Sequence, residues 1–182
     1  MSRKLKFLFS GIVVVILLPG ILLLGSVIYV EIQGNFYTIT PGEAYRSAQP
    51  GAKKLERYLK QYGIKSIINL RGKNPDKAWY QEELKVSKDS GAALYSVALS
   101  SKHPPDEKEL KELIRIFNNA PRPVLIHCKR GADRTGLVAA MWKVFVDKEP
   151  KREAKKQLSP FYFHFRIGKT ASLDRFFDAW EP

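Results

Sequence analysis

The chain's one cysteine, Cys128, lies in the stretch His127-Cys128-Lys129-Arg130-Gly131-Ala132-Asp133-Arg134-Thr135-Gly136. A single cysteine excludes an intramolecular disulfide and a zinc site of the multi-cysteine kind. Alone, such a residue is usually a small buried hydrophobe, so its neighbours decide its role. A loop between a strand and a helix start can aim several backbone N–H groups at one point and bind an anion there. The helix dipole adds positive potential, and Gly131 permits backbone geometry that other residues resist. Arg134, six residues after Cys128, can fold back and grip two phosphate oxygens with its planar fork. Cys128 in that setting is expected as a thiolate, a competent nucleophile toward phosphorus. The N–H groups and Arg134 would then stabilise the charge on the equatorial oxygens of the transition state. Thr135 can hydrogen-bond the sulfur, which favours the thiolate as nucleophile and as leaving group. Lys129, Arg130, Gly131, Ala132, Asp133 and Thr135 are therefore expected to surround the substrate.

The elements that must hold this loop are legible as alternating patterns. Residues 34–40 and 44–47 read as extended segments around a turn at Pro41-Gly42. Leu55, Tyr58, Leu59 and Tyr62 recur at helical spacing, predicting a helix over 52–62 stopped by Gly63. A strand is expected at 65–70, a helix at 77–90 ended by Gly91, and a strand at 93–99. Pro104-Pro105 opens the next helix, with Asp106 and Glu107 in its first turn. Residues 124–126 form a short buried strand, and a helix starts near Thr135 after the loop. Further helices are expected at 151–158 and around Leu173, Phe176, Phe177 and Trp180. Strands alternating with helices predict an α/β layer fold whose central sheet is covered on both sides.

Cys-x5-Arg-Thr preceded by His resembles the signature of the protein tyrosine phosphatase superfamily, and within it the dual-specificity branch. HCKRGADRTG is similar to the loop of atypical dual-specificity phosphatases from plants and fungi. Tyr45–Pro50 (YRSAQP) and Ile67–Gly72 (IINLRG) also look like segments of that branch, so the resemblance runs from about Phe36 to Val146. It implies a central mixed β-sheet flanked by helices, a cysteinyl-phosphate intermediate on Cys128, phosphate held by Arg134, and no metal or organic cofactor.

It also implies a general acid for the leaving group, in that family often an Asp on a mobile loop upstream. Asp106 is the matching candidate, 22 residues before Cys128 and just after Pro104-Pro105. An Asp at a helix start is equally ordinary capping chemistry. Asp133 is the rival, because myotubularin-type lipid phosphatases carry an Asp at the matching loop position; it could also simply bond loop N–H groups or an Arg. Asp89, inside a helix, is set aside. His127 is expected to orient the loop and His164 to be structural. His103 lies at the pocket mouth or on plain surface, and Arg71 shapes the pocket or forms a surface ion pair. A rhodanese-type sulfurtransferase would place its Arg differently and lack the Arg-Thr-Gly ending. The alternative from another class is a catalytically weak phosphate-binding or scaffolding module at the membrane, against which Cys128, Arg134 and Thr135 are all present.

Residues 7–30 run for 24 positions without a charge, long enough for a membrane helix. Pro19-Gly20 would kink it, which membrane helices tolerate. The apolar region of a signal peptide is shorter and ends at a small-residue cleavage site. The expected organisation is a basic cytoplasmic N-terminus at 1–6, a transmembrane helix at 7–30 and a catalytic domain at 31–182. Arg3, Lys4 and Lys6 before the run and Glu31 after it place the domain outside the cytoplasm, in the periplasm if the source is bacterial. A domain lying against the inner face is the alternative.

The chain carries 31 Lys+Arg against 18 Asp+Glu, a formal +13. Three of those bases and none of the acids fall in residues 1–30, leaving 28 bases against 18 acids, or +10, on the remainder. Such a surface attracts anions. With basic Lys129 and Arg130 in the loop, the expected partner is a phosphorylated protein or a phospholipid head group. No motif beyond charge suggests nucleic acid.

Overall fold

A computed structural model of the chain describes residues 17–21, 25 and 33–181. Most of the expected 7–30 span lies outside these; residues 17–21 are helical, with Leu17, Leu18 and Ile21 exposed. Among the described residues no helix is long and apolar enough to cross a membrane. The chain divides into two compact units, Met1–Gln33 and Gly34–Pro182, and the second holds the sheet and the loop.

Its strands are β1 (Tyr37–Thr40), β2 (Ala44–Ala48), β3 (Ser66–Asn69), β4 (Ala93–Ser96) and β5 (Val124–Cys128). They form one sheet in the order β1-β2-β5-β3-β4. Only the β1–β2 pair is antiparallel, so the sheet is mixed. β5 reads VLIHC and is buried throughout, as suits a central parallel strand covered on both faces. Its side chains alternate. Val124, Ile126 and Cys128 join one apolar cluster and Leu125 the other.

The helices are α1 (Ala52–Tyr62), α2 (Ala78–Asp89), α3 (Glu107–Asn119), α4 (Asp133–Phe145), α5 (Lys151–Ala154) and α6 (Ala171–Ala179). α1 and α2 cover one face of the sheet through Leu55, Leu59 and Val86; α3, α4 and α6 cover the other through Leu113, Val138 and Phe177. The α/β expectation holds at this level. α1 stops where expected, with Gly63 left-handed at φ 61 and its N–H bonded to Leu59 O.

Several boundaries differ from the sequence reading. Among them, β1 begins at Tyr37 rather than residue 34, and β5 runs on to Cys128 rather than ending at Ile126. Four more bear on the site. Asp106 is not in the first turn of α3 but caps it from outside. α4 begins at Asp133, so Arg134 and its neighbour are helical rather than in the loop. The helix expected at 151–158 is only α5 followed by a 3-10 turn, Lys155–Gln157, because Gln157 turns its carbonyl and side chain toward Arg46. β4 ends at Ser96 rather than Leu99, and the carbonyl of Leu99 instead receives Arg134.

Candidate active site

Strands β2, β5 and β3 run parallel in register, with Ala48 opposite Cys128 and Asn69 opposite His127. The segments that follow them therefore leave the sheet at one edge. This edge, the carboxyl end of a parallel sheet, is where α/β folds commonly bind ligands. Cys128 ends the central strand and is 3% exposed. The loop then reverses through Gly131, whose φ is 69. A Cβ there would lie 2.5 Å from Ala48 N and Ser47 C, so only glycine lets the loop press against β2.

α4 starts immediately after, with Ala132 at its N-cap and no side-chain cap. The first N–H groups of a helix have no intrahelical acceptor, and here the helix begins five residues after the cysteine. Arg134 donates from Nη1 to Leu70 O at 3.1 Å and to Leu99 O at 3.3 Å. One edge of the guanidinium is thus pinned to the chain after β3 and after β4. Its buried Nε makes no hydrogen bond among the described residues, and neither does the buried Thr135 Oγ1. Lys129 and Arg130 are exposed on the rim.

Beneath the loop lies Arg46 of β2, 0% exposed. Its Nη2 donates to Gly131 O at 2.9 Å, and its Nη1 to Gln157 O at 2.9 Å and Gln157 Oε1 at 2.7 Å. The guanidinium also stacks 3.8 Å from the Tyr162 ring centroid. Burial pushes its pKa down to about 10, against an opposing pull from Tyr162, Cys128 and Tyr37. By taking the loop carbonyls from behind, Arg46 favours peptide planes whose N–H groups face forward. The sequence reading did not single it out. An Arg inside the buried run AYRSA was the available signal, since a fully buried charge needs partners.

A second polar set flanks the cysteine on the α2 side. His127 Nε2 lies 2.6 Å from Glu83 Oε1, both fully buried, off the hydrogen-bonding direction. Glu83 also accepts from Asn69 Nδ2 at 2.7 Å and Gln49 Nε2 at 3.2 Å. Arg71 N donates to Asn69 Oδ1, and Arg71 Nη1 to Gln49 Oε1. The Arg71 guanidinium rests 3.5 Å above the Trp79 ring centroid. Burial and then the charge of Arg134 lower its pKa, while Glu83 and Cys128 pull it up. Of the two roles foreseen for Arg71, this arrangement is the one beside the loop. Glu83, Gln49, Asn69 and Trp79 were not foreseen, because only the fold brings their segments together.

The two candidate acids sit differently. Asp106 accepts from Glu109 N at 2.7 Å, and Glu109 Oε2 accepts from Asp106 N at 2.8 Å, a reciprocal capping box. Asp133 contacts His164, with Oδ1 2.8 Å from Nδ1. His103 is exposed. No group of three or more His, Cys, Asp or Glu side chains is placed to hold a metal among the described residues.

Residues 39–170 match the family described as "DSP-PTPase phosphatase fused to NAD+ Kinase". The dual specificity protein phosphatase TpbA of Pseudomonas aeruginosa is 32% identical over 128 residues, covering 68% of this chain and 53% of TpbA. The inositol diphosphatase SIW14 of Saccharomyces cerevisiae is 37% identical over 102 residues, covering 53% of this chain and 35% of SIW14. The chain thus spans about half or less of the length of these curated relatives. The crystal structure of TpbA superposes with a TM-score of 0.64 at 25% identity, over 82% of this chain and 86% of that one. The catalytic core of SIW14 in complex with citrate gives 0.65 at 27% identity, over 81% and 85%. Matched in sequence over most of its folded part and in architecture to phosphatases of this kind, the chain belongs to the DSP-PTPase phosphatase family.

Proposed function

We propose that the chain hydrolyses phosphate monoesters in two steps through Cys128. The Cys128 thiolate attacks phosphorus, the bond to the leaving oxygen breaks, and that oxygen takes a proton from a carboxylic acid. Water then gives a proton to the resulting carboxylate as it attacks the cysteinyl phosphate, the S–P bond breaks, and inorganic phosphate leaves with the thiolate and the carboxylic acid restored. Arg134 and the first N–H groups of α4 stabilise the equatorial oxygens in both steps, and Thr135 donates to the departing sulfur. The observation that supports this most is the pair of buried, unbonded atoms Arg134 Nε and Thr135 Oγ1 at the head of α4, one residue apart and close behind Cys128. Asp106, by its spacing, and Asp133, by its place where the loop passes into α4, are the candidate acids.

TpbA is named a dual specificity protein phosphatase and SIW14 an inositol diphosphatase. We read the substrate as a phosphorylated protein side chain or a phosphorylated head group, and Arg71 favours substrates with a second anionic group. A guanidinium held rigidly on Trp79 and Gln49 beside Arg134 incurs like-charge repulsion, which a second phosphate would relieve. The test is phosphate release from aryl phosphate, phosphopeptides, phosphoinositides and inositol diphosphates. Cys128→Ser is expected to abolish release, by at least about a thousandfold, while phosphate binding survives; undiminished turnover would sink the mechanism. Arg71→Gln is expected to lower kcat/KM about tenfold on substrates with a second phosphate and to spare aryl phosphate. An equal loss on both would remove the preference.

The apolar run 7–30 is proposed as a single-pass anchor with the catalytic domain outside the cytoplasm. A reporter fused after Pro182 is expected to behave as extracytoplasmic; cytoplasmic behaviour would reverse the topology.

A further inference from the structure

His164 is 1% exposed, yet it faces two carboxylates. Its Nδ1 lies 2.8 Å from Asp133 Oδ1 at the head of α4, and its Nε2 lies 3.0 Å from Asp174 Oδ2 on α6. A neutral imidazole has one N–H and one lone pair. With both carboxylates ionised and no water access, only the imidazolium donates to both. Asp174 is buried as deeply as the ring, whereas the Asp133 side chain keeps 25% exposure. One carboxylate anchors the histidine, and the other belongs to the first residue of α4, directly before Arg134 in the chain.

We propose that His164 is a positioning residue for the reaction: as an imidazolium between Asp174 and Asp133, it fixes Asp133 at the first position of α4 and ties the segment 157–174 to the end of the loop that carries Cys128. The proposal rests on the phosphatase reading above. Two other ties reach the loop from the same part of the molecule. Asn35 Nδ2 donates to Arg130 O and Tyr162 O, and Arg46 joins Gly131 O to Gln157. Neither of those titrates near neutral pH, so His164 is the pH-sensitive one of three ties. Burial alone would lower its pKa, but the hydrogen bonds and charges of Asp133 and Asp174 outweigh burial and raise it above the ordinary 6.5. These two carboxylates, one from each flanking helix, are the charged groups that act on it. A raised histidine pKa means the brace is complete at low pH and is lost as pH rises through the folded-state value. Above it one carboxylate meets a lone pair, and Asp133 is no longer held.

The experiment measures kcat and KM for an aryl phosphate against pH in the full chain, in His164→Gln and in Asp174→Asn, and follows the His164 ring by NMR. The wild type is expected to lose kcat on the alkaline side with the midpoint of the His164 titration, above 6.5. Asp174→Asn should move both midpoints down together. His164→Gln should erase that limb and lower kcat about tenfold at neutral pH with KM nearly unchanged. A His164→Gln profile that keeps the wild-type limb and magnitude overturns the proposal, as does a His164 midpoint below the ordinary value. Should His164→Gln fail to fold, the joint shift in Asp174→Asn decides. Absent turnover in the wild type would defeat the phosphatase reading instead, and the NMR midpoint would still judge the brace.

Discussion

Two helices of this domain begin after a strand-to-helix loop with an aspartate near the start, and they begin in opposite ways. At α3 the side chain of Asp106 accepts from Glu109 N, and Glu109 accepts from Asp106 N, so the helix satisfies its own end. At α4 the N-cap is Ala132, with φ −98 and ψ −86 and no side-chain bond. The first start is solvent-exposed; the second follows buried Gly131 and Ala132, braced by Arg46. A helix end left uncapped in a buried place is costly unless another group supplies the acceptors. Helices α1, α2, α5 and α6 also start without a side-chain cap. What sets the α4 start apart is its place directly after the loop that carries Cys128, which under the proposed function leaves its N–H groups for phosphate oxygens.

The largest effect expected from breaking this contrast is at Arg134. Arg134→Lys removes the planar fork but keeps the charge, and kcat/KM should fall at least about a hundredfold. A loss under tenfold in steady-state assays would mean that the uncapped N–H groups suffice without the fork. A smaller effect sharpens the role of Asp106. If it is the acid, Asp106→Asn slows poor leaving groups by about a hundredfold while good ones barely change. If Asp133→Asn shows that pattern instead, Asp106 is a cap alone. The cap itself is measured by Asp106→Ala, expected to destabilise by about 1 kcal/mol and lower Tm by about 2–4 °C in thermal unfolding.

Much of the site was legible before the fold because it is local. Cys128, Gly131, Arg134 and Thr135 fall within eight consecutive positions, and the loop's chemistry depends on that spacing. Core positions such as Leu55, Leu59, Leu113 and Val138 were legible for a similar reason, since periodicity reports which face is buried. Two of the misread boundaries, at Gln157 and Leu99, fall where a distant arginine takes the backbone carbonyl.

The order and spacing of residues alone thus determined an α/β chain with a Cys-x5-Arg loop between a strand and a helix, and an excess of basic residues. Three things only the tertiary structure decided: that Arg46 backs the loop from β2, that Arg71 sits on Trp79 beside Arg134, and that His164 bridges Asp133 to Asp174. Each joins residues from segments whose approach depends on strand order and helix packing. Periodicity encodes which side of an element is apolar, and it carries no record of which polar side chain a neighbouring element will meet.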